Sequence, residues 1–230
     1  MKYIIIGLGS FGASLAQKLT EMGNEVIGVD SKMEKVEAIK DKITHAVKMD
    51  ATELGAASSL PLKDTDVVIV GIGEDTGANI MATALMKQLK VKRLISRAVS
   101  PLQQTILEAM GVDEIIHPEE ETAERWSKKL GLHGVVDSFE VSEEFSIFET
   151  RIPRKFDGMT LEEVGLKSNY NLIVLTTIKL VKEKNLIGVE KEVQKVQGVA
   201  SAGSVLRYGD LMVLYGHNKD IKKLLRTLEG

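Results

Sequence analysis

Gly7-Leu8-Gly9-Ser10-Phe11-Gly12 matches the pattern G-x-G-x-x-G and sits between an apolar run and the start of a helical pattern. In that setting each glycine has a task. Gly7 permits a tight turn, Gly9 lets a pyrophosphate approach the backbone, and Gly12 lets helix and strand pack closely. The N–H groups left over at the helix start then meet phosphate charge. Asp30 closes the next strand, where a carboxylate accepts hydrogen bonds from ribose hydroxyls and repels a 2′-phosphate. Ser31, beside it, joins the candidate set and is also placed to cap the following helix. The plain alternative is a glycine-rich turn that binds nothing.

Four further stretches fall at the same edge of the expected sheet. Asp50-Ala51-Thr52 follows the third strand and either borders an adenine, with Asp50 taking its amino group, or caps the next helix. Gly71-Ile72-Gly73 follows the fourth, where small residues let a ligand lie against the backbone. Arg97 ends the fifth and either meets phosphates or pairs with a surface carboxylate. Glu119 follows the sixth. It either faces the phosphate end of a ligand through a divalent cation or is an ordinary acid in a first helical turn. His45, His117, His133 and His217 show no metal-ligand spacing, and Trp126 reads as core or interface.

These residues need strict alternation of strand and helix, and the first half of the chain supplies it. Strands are expected over residues 3–6, 25–29, 45–49, 67–70, 93–96 and 114–116. Helices are expected over 10–22, from Ser31 through Ile43, over 52–60, 78–89 and 101–110, and from Pro118 onward. Such a series implies right-handed βαβ units and a Rossmann-like, doubly wound parallel sheet. Pro118 opens its helix with three glutamates at the positive end of the dipole, and Gly131 and Gly134 break the pattern. The domain boundary is therefore expected after residue 134, giving domains 1–134 and 135–230. The second reads as a small α+β unit, with strands over 145–152, 172–178 and 211–215 and helices over 161–166 and 219–228.

Bulk properties narrow the class. A net charge of -3 argues against a nucleic-acid partner, which usually meets a basic surface. The absence of cysteine removes disulfides, thiolate zinc sites, iron–sulfur clusters and cysteine nucleophiles, and fits a reducing compartment. No stretch approaches the roughly 20 apolar residues of a membrane helix. The apolar start is interrupted by Gly7 and is too short for a signal peptide. The expected location is cytoplasmic, with any membrane reached through a partner.

Taken in order, residues 4–11, Asp30, Asp50-Ala51-Thr52, residues 68–75 and Ile115-Ile116-His117-Pro118-Glu119 resemble RCK/KTN proteins. These are regulatory subunits of Trk/Ktr-type bacterial potassium uptake systems. Residues 156–161 and 209–216 are similar to the C-terminal domain of that family, so the likeness covers essentially the whole chain. It implies a homodimer, joined through the helix at Pro118, that assembles into an octameric ring on the inner face of a membrane ion-translocating subunit. It implies that ATP, ADP, AMP or NAD(H) at the Rossmann edge changes ring shape and gates ion flow. It places Mg2+ or Ca2+ at the position of Glu119, a basic residue near the phosphates at Arg97, and, in some relatives, cyclic di-AMP between paired C-terminal domains. One departure stands out. Many ATP-gated relatives carry arginine at the third variable position of the glycine motif, against the terminal phosphate, and this chain has Ser10. That loss should weaken ATP relative to ADP, AMP or NAD.

The leading expectation is a nucleotide-operated gating subunit without catalysis, since switching a ring requires only different affinities for its two shapes. An NAD-dependent oxidoreductase is the alternative from fold analogy. It would need an acid/base group near the nicotinamide, and no Lys/Tyr or Arg/His constellation suggests one. A redox-sensing transcription factor lacks its basic helix-turn-helix here.

Overall fold

The structure, a computed structural model, describes residues 1–131, 135–184 and 190–228. It divides into two compact units, Met1–Glu121 and Thr122–Gly230. The boundary expected after Gly134 falls beside residues 132–134, which lie outside the described residues together with His133.

In the first unit, β1 (Lys2–Ile6), β2 (Glu25–Asp30), β3 (His45–Lys48), β4 (Val67–Val70), β5 (Leu94–Arg97) and β6 (Glu114–Ile116) form one parallel sheet. Its order is β3-β2-β1-β4-β5-β6, the doubly wound arrangement. β4 is buried at all its positions, as its unbroken apolar run requires of a strand covered on both faces. Alternation along β1 sorts the core. Ile4 and Ile6 face one side, with Val68, Val70, Ala82 and Met86. Ile5 faces the other, with Ile69, Ala16 and Val36. The covering helices are α1 (Ser10–Glu21), α2 (Met33–Glu37), α3 (Leu54–Ser58), α4 (Thr76–Gln88) and α5 (Pro101–Ala109). The strand order reverses between β1 and β4, so a crevice opens beyond their carboxyl ends.

Two helices differ from expectation. α2 starts at Met33 with Lys32 as its N-cap, and Ser31 does not cap it. Asp30 takes the Lys32 N–H at 2.8 Å, which shapes the turn before the helix can begin. α3 is shorter than residues 52–60 because Asp50 Oδ1 binds both the amide and the hydroxyl of Thr52. That Asx-type turn occupies the residues that would have formed the first helical turn.

α6 (Pro118–Gly131) buries none of its residues, and Trp126 is 51% and Leu130 77% exposed. In the second unit an antiparallel sheet has the order β10-β9-β11-β8-β7. Its strands are β7 (Val135–Glu140), β8 (Phe145–Arg151), β9 (Ile173–Lys184), β10 (Glu190–Val196) and β11 (Leu211–His217). β7 and β10 were not expected, and β9 outruns the expected 172–178. The expected helix over 161–166 is two, α7 (Leu161–Val164) and α8 (Leu166–Tyr170), because Gly165 takes a φ of 63° between them. α9 (Asn218–Leu228) lays Ile221, Leu224 and Leu225 on the core with Phe148, Met212 and Leu214. β9 and β10 form a hairpin whose outer strand, β10, is exposed at nearly every residue. Among the described residues no helix is long and apolar enough to cross a membrane.

Candidate functional site

The chain leaves β1 at Ile6 and turns through Gly7, whose φ of 95° is one that side chains rarely adopt. A Cβ on Gly7 would lie 2.8 Å from Ile72 Cγ1 and 2.9 Å from its backbone nitrogen. A Cβ on Gly12 would sit 1.9 Å from the Gly7 carbonyl oxygen. Gly12 thus packs the first turn of α1 against the Gly7 carbonyl at the end of β1, the close helix–strand approach that the motif calls for. Gly9 is the N-cap residue and provides no side-chain cap. The nearest group to a Cβ there is Lys35 Nζ, at 4.0 Å, so the loop backbone is approachable at this point. The N-terminal amides of α1 point along the helix axis into that space.

Asp30 is 8% exposed and binds on two sides. Its Oδ2 accepts from Leu8 N at 2.8 Å and its Oδ1 from Lys32 N at 2.8 Å. The carboxylate therefore ties the glycine loop to the end of β2. Each oxygen keeps a second lone pair for a ribose hydroxyl.

The groove at this edge has a volume of about 630 Å3, within the range of nucleotide-sized pockets. Gly7, Gly9, Ser10, Phe11, Asp30 and Ser31 line it with Asp50, Ala51, Thr52, Gly71, Ile72, Gly73, Arg97 and Glu119. Six loops that are far apart in sequence thus converge, and Gly12 alone of the expected set stands outside. Asp50 is held below the usual carboxylate range by the Thr52 hydroxyl and then its amide, so it stays an acceptor at neutral pH.

Arg97 crosses the groove. It lies 5.8 Å from the Phe11 ring centroid, donates to Gly71 O at 3.3 Å and pairs with Glu119. Its Nε is buried without a hydrogen-bond partner, an orphan donor that suits an anionic ligand. Both sequence alternatives for Arg97 therefore have a basis here: a carboxylate pairing and a place in the groove. Among the described residues no three potential metal ligands cluster. A cation at Glu119 would thus need oxygens from phosphates, as magnesium commonly does.

Sequence reasoning missed two groups. The first comprises Lys32, Lys35 and Glu74, which also line the groove. The second is a buried polar network. Asn79, 0% exposed, donates to Ile72 O at 2.9 Å and Arg97 O at 3.2 Å. Its Oδ1 accepts from Gln103 Nε2 at 2.9 Å and Ser96 Oγ at 3.3 Å. Gln103 in turn donates to Arg97 O and accepts from Val99 N. These side chains fix the Gly71–Gly73 loop against the end of β5. In the sequence Asn79 and Gln103 stand 24 positions apart as ordinary polar residues, and hydropathy alone does not mark them.

Residues 3–118 match the model of the TrkA-N domain. The chain is 32% identical over 222 residues to Ktr system potassium uptake protein A of Bacillus subtilis, covering 96% of this chain and 94% of that one. It is 29% identical to Ktr system potassium uptake protein C of the same organism, covering 98% of each. The crystal structure of the GsuK RCK domain superposes with a TM-score of 0.65 at 16% identity, over all of this chain and 48% of that one, a likeness of fold. With its glycine loop and Asp30 inside the matched segment, and all but the first residue of the six-stranded sheet there too, the chain belongs to the TrkA-N domain family.

Proposed function

We propose that this chain is a nucleotide-binding regulatory subunit of a potassium uptake system, and that it carries out no bond chemistry. The observation that carries the reading is the groove. It joins an approachable glycine-loop backbone at the start of a 12-residue helix to a buried ribose-accepting carboxylate at the switch point of the sheet. The relatedness to two Ktr system potassium uptake proteins over nearly the whole chain supports the potassium-uptake half of the reading.

In this reading an adenine nucleotide, one of ATP, ADP, AMP or NAD(H), lies along the edge. Phosphates rest on the Gly7–Gly12 loop, the ribose on Asp30, and the adenine against Asp50, Ala51 and Thr52. Arg97 neutralises phosphate charge. Glu119, released from Arg97, shares Mg2+ or Ca2+ with the terminal phosphate. Trp126 and Leu130, exposed on α6, suit a homodimer contact. Dimers of this kind would build an octameric ring on a Trk/Ktr-type translocating subunit, placing the protein peripherally on the inner membrane face. The division at residue 134, which keeps α6 with the N-terminal lobe, belongs to the same proposal. So does cyclic di-AMP as a second ligand at the C-terminal domain.

Thermal unfolding against ATP, ADP, AMP, NAD+, NADH, NADP+ and cyclic di-AMP, with and without divalent cations, tests it. A ligand at a hundred times its dissociation constant adds about 2.7 kcal/mol. Stabilisation by adenine nucleotides and none by NADP+ is the expected result. No stabilisation by any of them would remove the groove from the proposal.

A further inference from the structure

The groove contains an ion-pair strap that neither the glycine motif nor Arg97 explains. Lys35 Nζ lies 3.3 Å from both carboxylate oxygens of Glu74, and Lys32 Nζ lies 3.5 Å from one of them. The two lysines stand on the β2–α2 side and Glu74 on the loop between β4 and α4, so the strap ties together two segments far apart in sequence. Lys35 Nζ also lies 4.0 Å from where a Cβ on Gly9, at the start of α1, would stand.

The positions of the lysines are fixed by structure. Val36 and Ile39 are buried in the core beneath α2, and the backbone of Lys32 is pinned by Asp30. Glu74, in contrast, is 71% exposed at its side chain, and the capping of α4 is done by its neighbour Asp75, which accepts from Ala78 N. Glu74 therefore has no structural duty on α4. Its carboxylate is held below the usual range by Lys35 first and Lys32 second, so the strap is charged at neutral pH. The glycine loop itself brings no cation, since its variable residues are Leu8, Ser10 and Phe11. Arg97 pairs with Glu119 and Gly71 and keeps only its Nε without a partner, so a multiply charged ligand has room for a further cation.

We propose that Lys35, assisted by Lys32, is a second phosphate-recognising cation of this groove beside Arg97, and that Glu74 is a built-in competitor whose carboxylate occupies the place a nucleotide pyrophosphate takes. The inference rests on the nucleotide reading above and specifies its ligand class: nucleoside diphosphates and larger, in preference to nucleosides. A pyrophosphate on the N-terminus of α1 lies within reach of Lys35 Nζ and brings more charge than one carboxylate, so exchange favours it. The exchange unties the two loops. Binding would then register as loss of the strap, a local change available for transmission to the rest of the protein.

Calorimetric titration of the full chain with adenosine, AMP, ADP and ATP tests this, alongside NAD+ and NADP+. Lys35→Gln should weaken ADP and ATP about tenfold and leave adenosine unchanged, the loss expected for one charge-assisted contact. Lys35→Arg should retain the preference for ADP over adenosine. Glu74→Gln should tighten ADP and ATP severalfold and leave adenosine unchanged. Equal weakening of adenosine and ADP by Lys35→Gln, or no change in either, overturns the inference alone. So does a Lys35-dependent preference for NADP+ over NAD+, which would move the lysine from the pyrophosphate to a 2′-phosphate. Failure of every ligand to bind the unaltered chain overturns the nucleotide reading and the inference with it.

Discussion

Replacing Asn79 with alanine should cost the first unit about 2–3 kcal/mol. The side chain is fully buried and forms two bonds of 2.9 Å, one to Ile72 O and one from Gln103 Nε2, with longer ones to Arg97 O and Ser96 Oγ. The two short bonds are each worth about 1 kcal/mol net. The space left by the amide adds about another, and the better helix propensity of alanine within α4 returns about 0.5 kcal/mol. For a chain of this size each kcal/mol moves the midpoint by about 2–4 °C, so a fall of about 5–10 °C is expected by calorimetry. Asn79→Asp keeps the shape and removes the donors, aiming a carboxylate at two carbonyl oxygens. Its loss should be larger at pH 7 than at pH 5, where protonation restores a donor. Both variants should also weaken nucleotide-dependent stabilisation, because Ile72 and the end of β5 lose their common tie. An Asn79→Ala midpoint within 2 °C of the parent, roughly 1 kcal/mol or less, would refute the claim that this network holds the groove in shape.

Gly12→Ala should cost about 3 kcal/mol or more by chemical denaturation, because the new methyl group meets a backbone oxygen that cannot step aside. Gly73→Ala should behave differently. Its Cβ would lie 2.4 Å from Arg97 Cζ, the end of a flexible side chain, so stability should change by less than about 1 kcal/mol. The displaced arginine should instead alter nucleotide affinity, read by titration. Glu149, on β8, carries a buried Oε1 without a hydrogen-bond partner, and burial first and the Asp137 charge second raise its pKa above the ordinary 4.5. A carboxyl group with a raised folded pKa holds its proton longer in the native state, so its contribution falls as pH rises through that window. Glu149→Gln should therefore stabilise the protein at neutral pH, with the gain shrinking as pH falls and vanishing below the ordinary glutamate value, in midpoint measurements.

The first unit was legible because each element carried its own signal. The continuous apolar run of β4 and the glycine motif after β1 fix the sheet and its reversal point, and from these the converging loops follow. The missed elements lack that signal. β10 reads Glu190-Lys191-Glu192-Val193-Gln194-Lys195-Val196, with no apolar face, because it is an exposed outer strand that buries little. The α2 boundary was displaced by an interaction between residues two apart, Asp30 and Lys32, which outcompetes the cap that Ser31 offers. Of the groove residues, the glycine stretches and the residues at the strand ends, Asp30, Asp50, Arg97 and Glu119, were legible. Lys35 was not, because an isolated lysine on a short helix acquires meaning only when Glu74 and Gly9 are brought beside it. Asn79, Ser96 and Gln103 are hidden for the same reason: their partners come from separate elements.

The outer hairpin of the second sheet has a consequence for behaviour at high concentration. An open strand edge offers a row of amides and carbonyls to any other exposed strand and so seeds ordered aggregation. β10 presents that edge studded with Glu190, Lys191, Glu192 and Lys195, and Glu183 and Lys195 pair across the hairpin at 2.7 Å. At the opposite edge Arg125 and Lys128 of α6 grip Asp137 and Glu140 of β7. One margin of the sheet thus carries a row of charges that disfavours growth by strand addition, and the side chains of the other are engaged by ion pairs to a helix.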